Sequence, residues 1–428
     1  MEENQIQIPE GWVKLESIGN LGKIFNGLSG KTKADFGEGE PYIPYVNVFK
    51  NSCIDVNEFD LVRVKKGEHQ NKVLYGDLIF TTSSETIEEV GMTSVYLDKV
   101  NSYYLNSFCF CFRLNDFNTL LPEFARYLFR SNTVRYSITL LGQGSTRYNL
   151  SKTRLLTELK ILIPKTTLEQ QSIADILSKT DQAITNTEAL IAKYSRKKTG
   201  LMQDLLTNGI GNDEFELVRT DLKNIKAKSN FHITTLKTIT KVRQGYQIAI
   251  SARKKEEGEN RFVYITVQYL NNPKKYLEYI ENPPVEVISK YDDILFTRTG
   301  NTGQIVTDIV GVYHNNFFKV DFDKKLITKE YLLLFLQWKP VKDLILELAG
   351  TTTIPDLKHK DFYSIPIFFP KTLKEQNTIT TSINKANEVV ERFETELSKL
   401  QSLKTGLMQD LLSGKVRVKK LIQDANGK

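Results

Sequence analysis

From Leu168 to Leu206 the chain has no proline, and its apolar positions return at alternating steps of four and three. One row runs Ile173, Thr180, Thr187, Tyr194, Leu201; its companion runs Leu177, Ile184, Ile191, Lys198, Leu205. A 3.5-residue period held over this span predicts a long helix carrying a coiled-coil seam. The same pattern returns near the other end, in Ile379, Ala386, Phe393, Leu400, Leu407 and in Ile383, Val390, Leu397, Lys404, Leu411. At 1.5 Å per residue, each helix is expected to be roughly 60 Å long. Pro164 and Pro370 stand just before the two helices, and Asn208-Gly209 and Ser413-Gly414 mark the breaks after them.

The two helices belong to a repeat. Residues 198–206, Lys-Thr-Gly-Leu-Met-Gln-Asp-Leu-Leu, recur letter for letter at 404–412, an offset of 206. The same offset maps Pro164-Lys165-Thr166 onto Pro370-Lys371-Thr372, and Glu169-Gln170 onto Glu375-Gln376. The chain therefore reads as a tandem duplication.

Between the helices the grammar is parallel though identity is weak. Tyr45-Val46-Asn47-Val48 and Tyr264-Ile265-Thr266-Val267 read as strands, as do residues 77–81 and 293–297. Residues 104–108 match residues 313–317, and helical stretches follow near 122–129 and 329–336. Glycine loops at 142–147 and 350–353 precede short strands at 159–163 or 363–369. The polar stretch 207–230 reads as a linker. The expected fold is α+β. Two globular domains of mixed short strands and helices (1–164, and 211–370 with its linker) are separated by helical spacers at 165–210 and 371–428. The spacers pair as an antiparallel coiled coil about a pseudo-twofold axis.

Composition narrows the classes. With 428 residues, 40% apolar and 25% charged, the chain is globular in type, and disorder or a disulfide-stapled miniprotein is excluded. A net charge of +7 is the small difference between 58 basic and 51 acidic residues, compatible with a nucleic-acid partner but not diagnostic of one. Cys53, Cys109 and Cys111 lack metal-type spacing and read as reduced thiols of a reducing compartment. The acidic start of the chain does not read as a secretion signal, and its longest apolar stretch, 331–338, is too short to span a bilayer.

Catalytic signatures fail one by one. Asn282-Pro283-Pro284-Val285 has valine where an adenine methyltransferase carries a stacking aromatic, and no glycine-rich cofactor loop precedes it. Gly30-Lys31-Thr32 ends like a P-loop, but Phe25 stands where the first glycine belongs. Asp292-Asp293 has no Glu-x-Lys companion, and His69, His232, His314 and His359 lack ligand spacing. No cofactor, metal or catalytic residue is expected.

A glycine-rich loop, a short strand ending in proline, Glu-Gln, a long helix and then Leu-Met-Gln-Asp-Leu-Leu together resemble the specificity subunit of type I restriction-modification systems. The resemblance covers both repeats and is most specific at 164–206 and 370–412. It implies two target recognition domains, each reading one half of a split double-stranded DNA target, with the helices setting the spacer. It also implies docking of two modification (methyltransferase) subunits and of restriction (translocase-nuclease) subunits in a prokaryotic cytoplasm. It implies no catalysis by the chain itself. The second helix departs in Asn377-Thr378 where the first has Gln171-Ser172. Rival readings are a methyltransferase or nuclease with unrecognised motifs, or a structural coiled-coil adaptor.

Base reading needs Arg, Lys, Asn or Gln on short supports, and phosphate contact needs cations or hydroxyls. The loops supply both. Thr82, Ser83 and Ser84 stand opposite Arg298, Thr299 and Asn301. Gln143, Ser145, Thr146, Arg147 and Tyr148 stand opposite Thr351, Thr352 and Thr353. Lys31 and Lys33 match the region of Arg243, Gln244, Tyr246 and Gln247, and Lys254 adds a cation nearby. These are the candidate DNA contacts, with Arg147 and Arg298 foremost.

Overall fold

A computed structural model describes residues 8–211, 216–222, 225–350 and 355–418. The chain divides into two compact units: Met1–Ala189 with Glu394–Lys428, and Leu190–Phe393. The long helices are Thr167–Asn208 and Leu373–Leu412. Each unit contains one end of each helix.

In the first unit, a central antiparallel sheet has the order Gly22–Asn26, Cys109–Leu114, Leu78–Thr81, Thr93–Val95. A second sheet joins Phe36–Ile43 in parallel to Tyr103–Leu105, flanked by Asp60–Val62 and Lys72–Val73. The strand Trp12–Leu15 pairs with Ile161–Pro164, the strand that leads into the long helix. Phe80 and Phe110 stack at 5.4 Å inside a core that also takes in Phe112, Phe124 and Phe129.

The second unit repeats this plan. Its central sheet runs Thr240–Gln244, Phe317–Phe322, Ile294–Thr297, Ile305–Val306. Arg261–Ile265 lies parallel to Gly311–Tyr313, and His232–Thr235 pairs with Pro366–Phe369.

Five expectations are corrected. Tyr45–Lys50 is a helix, because buried Asn47 locks it: its amide donates to Asp55 O and Glu58 O and accepts from Asp55 N. Its counterpart strand ends at Ile265, and Val267–Asn271 is helical. The match of 104–108 to 313–317 slips by one: equivalent parallel ladders pair Ile43 with Leu105 and Ile265 with Tyr313. The linker contains a hairpin, Leu217–Arg219 with Lys226–Lys228, whose Ala227 joins Leu222 in the core. Residues 359–364 are helical, and the strand after them starts at Pro366.

The repeated Glu-Gln has a structural cause. Gln170 is fully buried and donates to Thr119 O and Pro164 O (2.9 and 3.0 Å) while accepting from Leu121 N (2.9 Å). Gln376 does the same with Leu326 O, Pro370 O and Thr328 N (2.8, 2.9 and 2.8 Å). One side chain thus ties the helix start to the strand before it and to the segment entering the preceding short helix. Glu169 receives Arg417 in a bidentate pair, and Glu375 accepts from Ile210 N.

Helix pairing is antiparallel inside each unit. In the first, going back from Asp181 to Glu169 moves the partner forward from Lys404 to Arg417. In the second, Tyr194 stacks on Phe393 at 5.5 Å and Lys198 donates to Asn387. Ile173 and Leu177 enter one core with Leu411; Ile379 and Ile383 enter the other with Leu206. The other expected seam positions are buried or half-buried. Thr180 and Thr187 fit the seam because each hydroxyl donates one turn back, to Ile176 O and Ala183 O. No helix among the described residues is long and apolar enough to cross a membrane.

Replacing Gln170 by leucine strands three backbone groups, and Gln376→Leu does so in the other unit. Each is expected to cost about 3 kcal/mol of stability in urea denaturation. The control Gln171→Leu, a half-buried site, is expected to stay within about 0.5 kcal/mol. Equal midpoints for Gln170→Leu and the control contradict the anchoring role.

Candidate nucleic-acid interface

In the first unit the loop between Gly142–Gln143 and Tyr148–Leu150 turns at Gly144, whose φ is +121°. A Cβ there would stand 2.2 Å from Arg147 O, so the turn requires glycine. This tight turn leaves Gln143, Ser145, Thr146 and Arg147 exposed and Tyr148 half-buried. The Arg147 guanidinium lies 5.8 Å over the Phe108 ring, and Phe108 itself is 56% exposed. Behind them is a cavity of about 380 Å³, walled by Tyr45, Phe49, Ser83 and Ser84 and rimmed by Glu85 and Glu89.

Two arginines hold this wall. Arg130 donates to Val48 O, Phe49 O and Asn51 O at 2.8–3.0 Å, capping the helix that carries Tyr45 and Phe49. Arg135 donates to Glu88 O, Val90 O and Gly91 O at 2.7–2.9 Å, fixing the loop of Glu85 and Glu89. Burial pushes both guanidinium pKa values down to about 10. Both remain cationic at neutral pH.

Most other expected contacts of this unit are engaged within it. The Lys31 side chain is 5% exposed and bound by Glu68 and Arg63 O, so its charge is already used. Its neighbour Lys33 is exposed. Thr82 works through its backbone, donating to Phe108 O and accepting from Leu150 N. Ser83 and Ser84 are buried in a short strand against Tyr148 and Asn149, with only the cavity side open.

The second unit keeps the frame and changes the chemistry. Arg298 N donates to Asn316 O and Arg298 O accepts from Leu357 N, as Thr82 does with Phe108 and Leu150. The Arg298 guanidinium, however, is clamped bidentate by Asp356 at 2.8–3.0 Å and lies over Phe318. Its charge is therefore paired within the unit, and it braces the Asp356 segment. Thr299 bridges to Asp356 through its backbone, and Asn301 donates to Gln304. Arg243 is exposed but paired with Asp321, and Lys254 lies 3.8 Å from Glu281. Gln244 and Gln247 converge on Asn315, which accepts from the first at 3.4 Å and donates to the second at 2.6 Å. Half-buried Tyr246 donates its N–H to Tyr313 O. Thr351, Thr352 and Thr353 lie outside the described residues.

The geometry thus brings Arg147, Ser83, Ser84 and the loop around 143–148 to one cavity, and Gln244 and Gln247 to one amide cluster. Tyr45, Phe49, Phe108, Glu85 and Glu89 are absent from the sequence-derived set. The available signal was the i, i+4 spacing of Tyr45 and Phe49, which is visible only once 45–50 is read as a helix. Burial pushes the Cys109 thiol up and Cys111 to about 12, so neither is a ready nucleophile. Burial also lowers His314 and His359 below the usual imidazole range. Among the described residues no group of three His, Cys, Asp or Glu has metal-binding geometry.

Comparison with known proteins places this geometry. The family described as type I restriction modification DNA specificity domain matches residues 9–193 and again 228–399. A putative type I restriction enzyme MjaX specificity subunit of Methanocaldococcus jannaschii is 24% identical, over 96% of this chain and 95% of its own. The MjaVIII specificity subunit of the same organism is 21% identical over 98% and 96%. The solved type I restriction-modification S subunit from M. genitalium shares the fold, with a TM-score of 0.55 at 18% identity over 96% and 98% of the two chains. With the domain matched once in each repeat, the chain belongs to the type I restriction-modification DNA specificity family.

Proposed function

We propose that this chain is the non-catalytic DNA-specificity subunit of a type I restriction-modification complex in a prokaryotic cytoplasm. The observation that carries the reading is the double occurrence of the specificity domain, once per repeat. Residues 1–164 and 211–370 act as recognition domains, and 165–210 and 371–428 as spacers. Two readers with different side chains on one frame read two different half-targets in double-stranded DNA.

The cavity rim in the first domain, with Arg147, Ser145, Thr146, Gln143 and Lys33, meets the duplex. In the second, Gln244, Gln247, Asn301 and Arg243 do so. Glutamine amides suit adenine N6/N7, and an exposed arginine suits guanine or phosphate. Methyltransferase subunits dock on the helix faces, where Thr199, Gly200 and Gln203 are exposed just as Thr405, Gly406 and Gln409 are. The two glycines face open space within the chain, although a mid-helix glycine costs about 1 kcal/mol against alanine. Close approach of two copies of one partner accounts for retaining them. Restriction subunits join that assembly.

Purified chain mixed with labelled S-adenosylmethionine and DNA is expected to transfer no methyl groups, while addition of the partner methyltransferase restores transfer to a bipartite site. Methyl transfer by the chain alone contradicts the reading. With a net charge of only +7, the isolated chain is expected to bind DNA weakly and to lose that binding between 50 and 200 mM salt, checked by anisotropy. Tight sequence-specific binding by the isolated chain is the opposing result. Gly200→Trp with Gly406→Trp is expected to abolish co-purification with the methyltransferase at unchanged thermal midpoint. Retained co-purification removes the docking assignment.

A further inference from the structure

The cavity of the first unit combines two features that ordinary groove reading does not need. Its rim carries a protruding ring, Phe108, 56% exposed and backed by the Arg147 guanidinium at 5.8 Å. Its interior, at about 380 Å³, falls within the roughly 300–1,000 Å³ span of small-molecule sites. Tyr45 and Phe49 stack in its wall at 5.9 Å with an interplanar angle of 18°. Two of the wall hydroxyls are engaged, Tyr45 donating to Ser83 O and Ser84 to Thr86 O, which leaves the Ser83 hydroxyl for a ligand. Among the described residues no salt bridge is formed by Glu85, Glu89 or Arg147, so the hydrogen-bonding groups at the mouth are two carboxylate acceptors and one guanidinium donor.

We infer that this cavity receives one everted nucleobase carrying an exocyclic amine, with Phe108 inserted where that base leaves the stack. Apolar rings wedge between base steps, and extruded bases are held by aromatic faces and by hydrogen bonds to their Watson–Crick edge. Carboxylates accept from the amines of guanine, adenine or cytosine; thymine has none. They repel phosphate, which argues against a backbone-phosphate site.

The second unit supplies an internal contrast. Asn316 occupies the backbone position of Phe108, and Val267 follows Ile265 at the interval by which Tyr45 follows Ile43. At these two described positions the second unit therefore has no ring, and eversion belongs to the half-target of the first unit.

The inference rests on the DNA-specificity reading, and the test separates the two. The complex with its methyltransferase is bound to its target without S-adenosylmethionine. Fluorescent analogues replace each base of the first unit's half in turn, 2-aminopurine for purines and pyrrolo-cytosine for pyrimidines. One position other than the methylated base is expected to brighten several-fold. Phe108→Ala with Glu89→Gln is expected to return that signal to the free-duplex level and weaken target binding about ten- to hundred-fold. Phe108→Trp is expected to preserve both. Target methylation with no such brightening, or brightening untouched by the double variant, overturns the inference alone. Absence of any target methylation overturns the subunit reading and this inference with it.

Discussion

Antiparallel pairing of helix ends is the interaction on which each unit is built. The first unit is closed by Leu411 and Leu412 from the second repeat, packed with Ile173 and Leu177 of the first. The second is closed by Leu206 from the first repeat, beside Ile379 and Ile383. Each fully buried leucine or isoleucine contributes about 1.5–3 kcal/mol, so losing the partner helix end removes a substantial part of either core. Polar contacts fix the register. Asp181 gathers Lys404, Arg126 and the Tyr127 hydroxyl, and at the equivalent place in the other repeat Asn387 meets Lys198. The repeated lysine is kept while its partner changes from carboxylate to amide.

Within this closure the two recognition domains diverge freely because their frame is held by backbone bonds. Thr82 and Arg298 make the same main-chain links, although one side chain is a small hydroxyl and the other a braced cation. Gly27 and Gly245 likewise donate to Cys109 O and Phe317 O, with carbonyls so near that a Cβ on either would stand about 2 Å away. Such a frame asks little of loop side chains. An aromatic, carboxylate-rimmed cavity arises on one copy and an amide cluster on the other.

The long helices were legible because a 3.5-residue period over some forty positions outweighs any local ambiguity. The paired segments 77–81 and 293–297 were legible as buried β-branched and aromatic runs ending in polar loops. Tyr45–Val48 was misread because four residues cannot separate helix from strand, and Asn47 fixes the helix through Asp55 and Glu58, eight and eleven positions on. Matching 104–108 to 313–317 on shared tyrosine, asparagine and phenylalanine slipped by one, since ladder register is set across strands and not along them. Lys31 and Arg298 looked free because the carboxylates that hold them, Glu68 and Asp356, are distant in sequence. Arg147 kept its expected exposure because the turn at Gly144 is local.

The DNA-specificity role is tested most directly by sequencing methylated bases in the host genome. Three strains are compared: gene intact, gene deleted, and residues 1–164 replaced by the corresponding stretch of another specificity subunit. A bipartite methylation motif that disappears on deletion, and changes in one half only on replacement, is the predicted result. A motif that survives deletion of the gene contradicts it.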